Sequence, residues 1–592
     1  MPNLGVNFAG NTLYLPGVYY TSNASATQPT NAPATPPLVL IGYFYGLEPL
    51  VPQTFDASQG AAPLLAAIRG GPASGLVSFI TSPSPQYSGA QSVTLINASA
   101  NTQSNLTLQA AGSGVIVLES TDYGLPSNLL QAEVQAGTVA GIDLTLFDGY
   151  SGTTYQGNNL GVPFQVGYLG SASGVTLAVS GTNGAATNLI ITSPTAGESV
   201  NVPLGAGQYQ TITQVVEYLN GTGVYQANGL SDSGGGLAAS SLSIVSGVAL
   251  AAAASGVASY VNVNATLLDI VYWVNQYAAL VGTASVSGSA QNIPSNLPSV
   301  IPLTHFSGAT SVPPTNSTYA AAFNAALNTP AWTVVADSNA PAVVALGTQH
   351  AVTASEPVNG KMRRFFSGSS VGDTVATTLS IAQAQNSSTT TYCYPGITQT
   401  NTVTGLPETY GGLYVAAAEA SIATANQIAL PLTNKPLTGT GVEVALTNSQ
   451  LIELQNGGVS VLFSNGGVPT ILSDVTTWQT DNNPSNIYNQ QIACRQWTGY
   501  TLIAALRPYV GGIASSLDIV RAKNAATKSL NSLIYTEGSN GVLNSWNPTS
   551  LVLTYSGSNQ TLGVTVDAVN VGQNRIITTT VNVQPLSLSA VG

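Results

Sequence analysis

The apolar positions follow different spacings in different parts of the chain. Leu13, Leu15 and Val18-Tyr19-Tyr20 surround Pro16-Gly17 and read as a short extended piece. The tract from Ser22 to Pro37 is rich in Thr, Pro, Asn and Ala, a composition that builds no core and behaves as a linker. Residues 1–37 therefore read as an arm. Leu38-Val39-Leu40-Ile41-Gly42 is a continuous apolar run, the pattern of a buried strand. Ala61 to Ile68 predicts a helix stopped by Gly70-Gly71, and residues 38–90 read as the first part of a core.

Between residues 91 and 300 the pattern is mainly one of short strands. Ser92 to Ile96 and Val115 to Leu118 are β-branched runs bounded by turn residues. Leu129 to Val134, Ile142 to Phe147 and Thr176 to Val179 continue the series at the spacing of a β-sandwich. Thr211 to Leu219 stands apart as a helix, with Ile212, Val215, Val216 and Leu219 on one face. This stretch reads as an inserted, mainly β unit.

From about residue 330 strands alternate with helices, the mark of an α/β layer. Thr333 to Ala336, Phe365-Phe366 and Thr390 to Tyr394 read as strands, and 340–356, 373–385 and the Ala-rich 411–429 as helices. Thr447 with Gln450 three residues on is a capping-box pattern, closed by Gly457-Gly458. Val459 to Phe463 and Val468 to Leu472 flank Asn465-Gly466-Gly467, a hairpin signal. Helices near 499–509 and 514–535 follow, then strand-like runs at Ser550 to Tyr555, Gly563 to Val566 and Ile576 to Val583. The chain thus divides into a middle α/β unit over 301–400 and a C-terminal unit over 401–592 that ends in an arm.

Composition sharpens this picture. The chain has 592 residues, 44% of them hydrophobic and only 6% charged, where an ordinary soluble domain is about 25% charged. Its surface must be polar without being ionic, which suits a protein largely covered by partners. The 291 residues from 70 to 360 contain no Lys or Arg but eleven acids, from Glu119 to Glu356, out of a formal net charge of −12. A net-acidic chain without a basic run is a poor partner for nucleic acid, whose phosphates call for Lys and Arg. Met1 to Tyr20 lacks the charged start and apolar run of a signal peptide. Ser243 to Ala258 is interrupted by Ser and Gly and has no basic flank, so no membrane insertion is expected.

Candidate chemistry is sparse. There is no GxxxxGK[ST], HExxH, GxSxG or paired CxxC, and no cofactor or metal is expected. Cys393 and Cys494 read as buried free thiols, and His305 and His350 as packed or surface groups. Two carboxylates can run glycosidase chemistry. Glu119 with Asp122 and Asp143 with Asp148 nevertheless read as acids of solvated turns. Asp481-Asn482-Asn483 reads as a turn. Lys361, Arg363 and Arg364, the one basic cluster, read as solvated groups or as ion-pair partners across a subunit contact.

Over most of its length the chain resembles the tail sheath proteins of contractile bacteriophages, in particular the Mu-like group. Pro16-Gly17-Val18-Tyr19 is similar to the family's N-terminal PGVY element, and Ile41-Gly42 to the start of its first core strand. Ser120 to Asn128, with Ala136-Gly137-Thr138 behind it, resembles a family segment built around Asp-Tyr-Gly. Ser307-Gly308 to Trp332 is similar to the approach to the α/β part. Tyr410 to Ala429 followed by Pro431 to Leu437 resembles the family's Ala-rich helix and the run after it. Leu451 to Phe463, Ile471 to Thr480 and Ile487 to Arg495 continue the series in the family's order. One departure is plain: where the family carries a basic residue before its Thr-Thr step, this chain has Asp474-Val475 before Thr476-Thr477.

The resemblance implies an α+β multidomain protein: an α/β tail-sheath core, extended N- and C-terminal arms and a mainly β inserted outer domain. It implies a structural role and no catalysis, with copies of the chain in six-fold rings stacked helically around a tail tube. The arm residues Leu13, Leu15, Pro16, Gly17, Val18 and Tyr19, and Ile576, Ile577, Thr579, Val581 and Val583, are then expected to add strands to neighbouring subunits. The tube, baseplate and tail terminator proteins are the implied partners, and the virion, assembled in the host cytoplasm, the implied location. A secreted or surface-layer β-rich protein is the alternative that fits the composition but leaves the C-terminal α/β layer unexplained.

Overall fold

The computed structural model describes residues 6–8, 11–13 and 37–572, apart from 183, 206–208, 279–281, 289–291, 357–358, 401–404, 511–514, 537–540 and 557–560. Its centre is an eight-stranded sheet. The strands are β1 (Leu38–Gly42), β2 (Gln53–Asp56), β3 (Ser92–Asn97), β4 (Thr333–Ala336), β5 (Arg364–Gly368), β6 (Thr390–Tyr394), β7 (Ser460–Asn465) and β8 (Val468–Ser473). They lie in the order β8-β7-β6-β5-β4-β1-β3-β2. The six inner strands are parallel, and β8 and β2 close the two edges antiparallel.

A parallel sheet is covered on both faces, so its strands read as unbroken apolar runs. Every residue of β1, β5 and β6 is buried, whereas edge strand β2 alternates between half-buried and exposed. Successive side chains leave opposite faces of a strand. Leu38 and Leu40 pack on one side with the helices Ser74–Thr81 and Gly412–Ala425. Val39 and Ile41 pack on the other with the helices Asn316–Leu327, Pro341–Ser355 and Val375–Gln385. The Ala-rich helix is buried nearly all round because small side chains let its backbone approach the sheet. A Cβ on Gly368 would stand 2.2 Å from the Gly412 carbonyl carbon.

Several local expectations hold. The hairpin turns at Gly466-Gly467, both with positive φ, and pairs Asn465 with Val468. Capping boxes start the helices at Thr447 and Thr211, and both cysteines are buried free thiols. Asp481 accepts from the Trp478 indole and the Asn483 amide, closing the expected turn. His350 is buried against the Phe323 ring at 5.5 Å, and burial, with Arg363 nearby, holds its imidazole down at about 3.

Other expectations fail for reasons of long-range packing. Ser92–Asn97, read as the insert's first strand, lies in the central sheet between β1 and β2, while Ile301–His305 pairs with the insert strand Leu130–Ala136. The single sheet draws on residues 38–56, 92–97, 333–394 and 460–473, so stretches read as separate units share one layer. The helix expected near 499–509 is Asn489–Leu506. Its first turn is polar in sequence but buried: Gln490 and Gln491 donate to the Val571 carbonyl, and Asn570 to Gln491. Ser243 to Ala258 contains the strand Val245–Leu250, and among the described residues no helix is long and apolar enough to cross a membrane.

The basic cluster is not solvated. Arg363 and Arg364 are 0% and 3% exposed. Arg363 donates to the carbonyls of Thr329 (3.0 Å) and Ala326 (3.3 Å), and Lys361 to that of Leu327. These carbonyls end the Asn316–Leu327 helix, where the last acceptors lack partners and the helix dipole favours cations. Arg364 donates to Asn489 Oδ1 at 3.0 Å and lies over the Phe366 ring.

The insert holds two apolar cores, one nested in the other. The first joins the sheets Gln103–Ala110, Ser113–Tyr123, Thr283–Val286 and Leu130–Ala136, Ile142–Asp148, Thr153–Leu160, Ile301–His305 around the helix Leu268–Tyr277. The second, from Phe164 to Ala265, packs two further sheets around the helix Ile212–Gly221. Buried Asp269 ties the two together, accepting from Ser231, Ser233 and the Gly161 amide.

One cation joins the insert to the core. Arg69, in the left-handed conformation (φ 50°), terminates the helix Ala62–Ile68. Its Nε lies 2.6 Å from Asp122, its Nη1 bonds both oxygens of Asp148 (2.8 and 3.1 Å), and its guanidinium stacks on Tyr150 at 5.0 Å. Three of the four acids read as solvated are thus committed, while Glu119 is exposed as expected: Asp148 also accepts from Ser151 and the Tyr150 amide, and Asp143 from the Asn159 amide. Burial outweighs the pull of Arg69 on Asp122 and pushes it up to about 6. Asp148 is also buried, but its bonds from Ser151, Arg69 and Tyr150 hold it below the ordinary carboxylate range.

Two expectations follow from these buried charges. Arg69→Met strands two carboxylates and is expected to cost about 3 kcal/mol, read by chemical denaturation. A loss close to zero would mean that the junction is held by apolar contact alone. Glu419, fully buried and bonded by Ser460, is pushed by burial up to about 8 from an ordinary 4.5. The folded protein therefore keeps a proton that the unfolded chain releases, and stability falls as pH rises from about 4.5 to about 8. Glu419→Gln is expected to flatten that decline in urea titrations at about pH 5 and about pH 8; an unchanged decline would show that other groups cause it.

Candidate assembly surfaces

The two predicted arms are the sequence's site residues, and most lie outside the described residues. Of the N-terminal set only Leu13 is reached, as the last residue of a strand Asn11–Leu13 that pairs with Val6–Phe8 in a small hairpin. Leu15, Pro16, Gly17, Val18 and Tyr19 lie outside the described residues, as do Ile576, Ile577, Thr579, Val581 and Val583.

What the structure adds is an isolated two-stranded sheet, which sequence reading did not single out. Val552–Ser556 and Thr561–Thr565 form a hairpin that stands, among the described residues, as a two-stranded sheet of its own. Its inner residues Leu553, Leu562 and Val564 pack on the C-terminal core around Trp497, Leu530 and Trp546. Val552 and Tyr555 are 51% and 38% exposed. Two strands alone are marginal in water, and a free edge is a template for a further strand. The strand itself was present in the run Ser550 to Tyr555; its isolation from any larger sheet was not.

The two edges of the central sheet differ. Along β8 the segment 434–437 supplies partners: the Asn434 amide donates to the Ile471 carbonyl, Ile471 to Lys435 and Leu437 to Pro469. Strand β2 has no such cover among the described residues. It borders a cleft of about 310 Å³ lined by Leu47, Glu48, Phe55, Gln103, Asp122 and Tyr123 at the junction with the insert.

A third surface lies on the final helices. Asn489–Leu506 and Ser516–Ser532 carry Arg495, Arg521, Lys523 and Lys528 against the single acid Asp518. Ser515 and Arg521 bond Asp518 and hold its carboxyl below the ordinary range. Leu517 and Val520 on the same helix are more than half exposed. An exposed apolar and basic face on an acidic protein is the profile of an interface. Among the described residues no group of three or more His, Cys, Asp or Glu is placed to hold a metal ion.

No family model matches the chain, and no curated protein does. Solved structures do. The sheath tail protein from Desulfitobacterium hafniense matches over 94% of this chain and 100% of its own, at 11% identity and a TM-score of 0.50. The sheath tail protein from Listeria innocua matches over 92% of this chain and 95% of its own, at 11% identity and a TM-score of 0.54. Identity this low speaks for the fold alone, and it does so over more than nine-tenths of the chain. The fold of this chain is that of the sheath tail proteins.

Proposed function

We propose that the chain is the structural subunit of a contractile tail sheath, polymerising as helically stacked six-fold rings around a tail tube. The observation that carries this reading is the likeness to two sheath tail proteins over more than nine-tenths of the chain. The residue-level resemblance, found without reference to structure, points the same way. The core faces the tube and neighbouring subunits, and the acidic insert faces outward. The exposed apolar and basic helix Ser516–Ser532 is available for the tube side.

The arms link subunits by strand addition, and the Val552–Thr565 hairpin is the edge that accepts them. Each added hydrogen bond contributes about 0.5–1.5 kcal/mol net, so a six-bond strand holds neighbours by several kcal/mol while their bodies rotate. Contraction then releases energy by burying surface, at about 25 cal/mol per Å², with no nucleotide or cofactor in the cycle. Baseplate, tube and tail terminator proteins are the partners, the assembled tail of a virion is the location, and the role is not enzymatic.

Negative-stain electron microscopy of the protein expressed alone tests this. Hollow tubes or stacked six-fold rings are expected, and deletion of residues 1–22 or 575–592 is expected to abolish them. Monomers that persist at high concentration with both termini intact would overturn the reading in favour of a surface-layer protein.

A further inference from the structure

We propose that this chain is built to withstand endoproteases that cleave after Lys or Arg, by two different means in two parts of the molecule. Such enzymes draw a long cationic side chain into an acidic pocket. They act on backbone that is exposed or opens locally. In the insert the first requirement fails, and at the basic residues of the core the second.

In the insert the means is composition. Its surface has the loops that proteases ordinarily nick, such as the exposed turn Pro194 to Gly197 between two strands. Yet from residue 70 to 360 no Lys or Arg exists to be recognised. The loops are not closed to enzymes of other specificity: exposed Tyr150 sits in the turn between two insert strands.

In the core the means is burial and local covalent structure. Arg69 is 12% exposed, held by two carboxylates, in a left-handed turn that no extended substrate adopts. Arg363 and Arg364 are buried in and beside β5, and Lys361 is bound to the Leu327 carbonyl. Lys435 and Arg507 each precede proline, whose ring removes the N–H and blocks the usual backbone approach. Arg495 lies inside the helix Asn489–Leu506 and donates to Asn486. The first basic residues on an exposed surface ahead of an ordinary peptide bond are Arg521, Lys523 and Lys528, all on one helix near the C-terminus. None of the seven basic residues of positions 1–520 is thus a ready cleavage point of this class. The inference concerns the free chain and does not rest on the assembly reading.

Limited proteolysis of the full-length protein, read by intact mass, tests it. With trypsin the wild type is expected to lose only pieces from beyond residue 520. Ala196→Lys, in the exposed turn, is expected to open a cut between 196 and 197. Because a loop opens far more readily than a buried strand, that cut is expected to run on the order of a hundredfold faster than any other in residues 1–520. Chymotrypsin is expected to cut the wild-type insert. Trypsin cleavage of the wild type after Arg69, Lys361, Arg363 or Arg364 at a rate near that of the new site would overturn the proposal. So would an Ala196→Lys protein that stays intact, since rigidity rather than composition would then protect the insert.

Discussion

A parallel sheet has no face to spare for water, and the architecture follows from that constraint. Six parallel strands oblige the chain to return over one face or the other after nearly every strand, which puts the helices in two layers. It also decides where an addition can be tolerated. The insert departs after β3 and returns ahead of the helix Asn316–Leu327, at the ends of elements, where nothing in the sheet has to be uncovered. About two hundred residues with their own cores hang from this point without interrupting a layer.

With so few charges, those that are buried sit at seams. Lys361 and Arg363 close the C-terminal end of one helix. Asp474 accepts from the Gln490 amide at the start of another. Asp269 joins the two insert cores, and Arg69 joins the insert to the central layers. A charge taken out of water is tolerable only where donors or counter-charges meet it. Such sites are defined by two elements at once, so they lock elements into one arrangement.

Much of this could be read locally. The runs at Leu38 to Gly42 and Thr390 to Tyr394, the Thr447 capping box and the Gly466-Gly467 turn all fall where spacing placed them. The arms, read as extended and linker-tethered sequence, lie mostly outside the described residues. The Val552–Thr565 hairpin was legible as strands but not as an isolated sheet. The helix from Asn489 was hidden because its first turn is polar, and only its partners at Asn570 and Val571 make that burial affordable.

By itself the sequence determined what depends on composition and on neighbours a few residues away: strand and helix periods, caps, turns and the charge-poor surface. The tertiary structure alone decided which sheet Ser92–Asn97 and Ile301–His305 join, and that Arg363, Arg364 and Asp148 are buried rather than solvated. Strand choice and charge burial are settled by groups far off in the chain, such as the Ala326 carbonyl for Arg363 and Arg69 for Asp148. No local pattern records those partners, because the energy that selects them exists only once the distant elements have met.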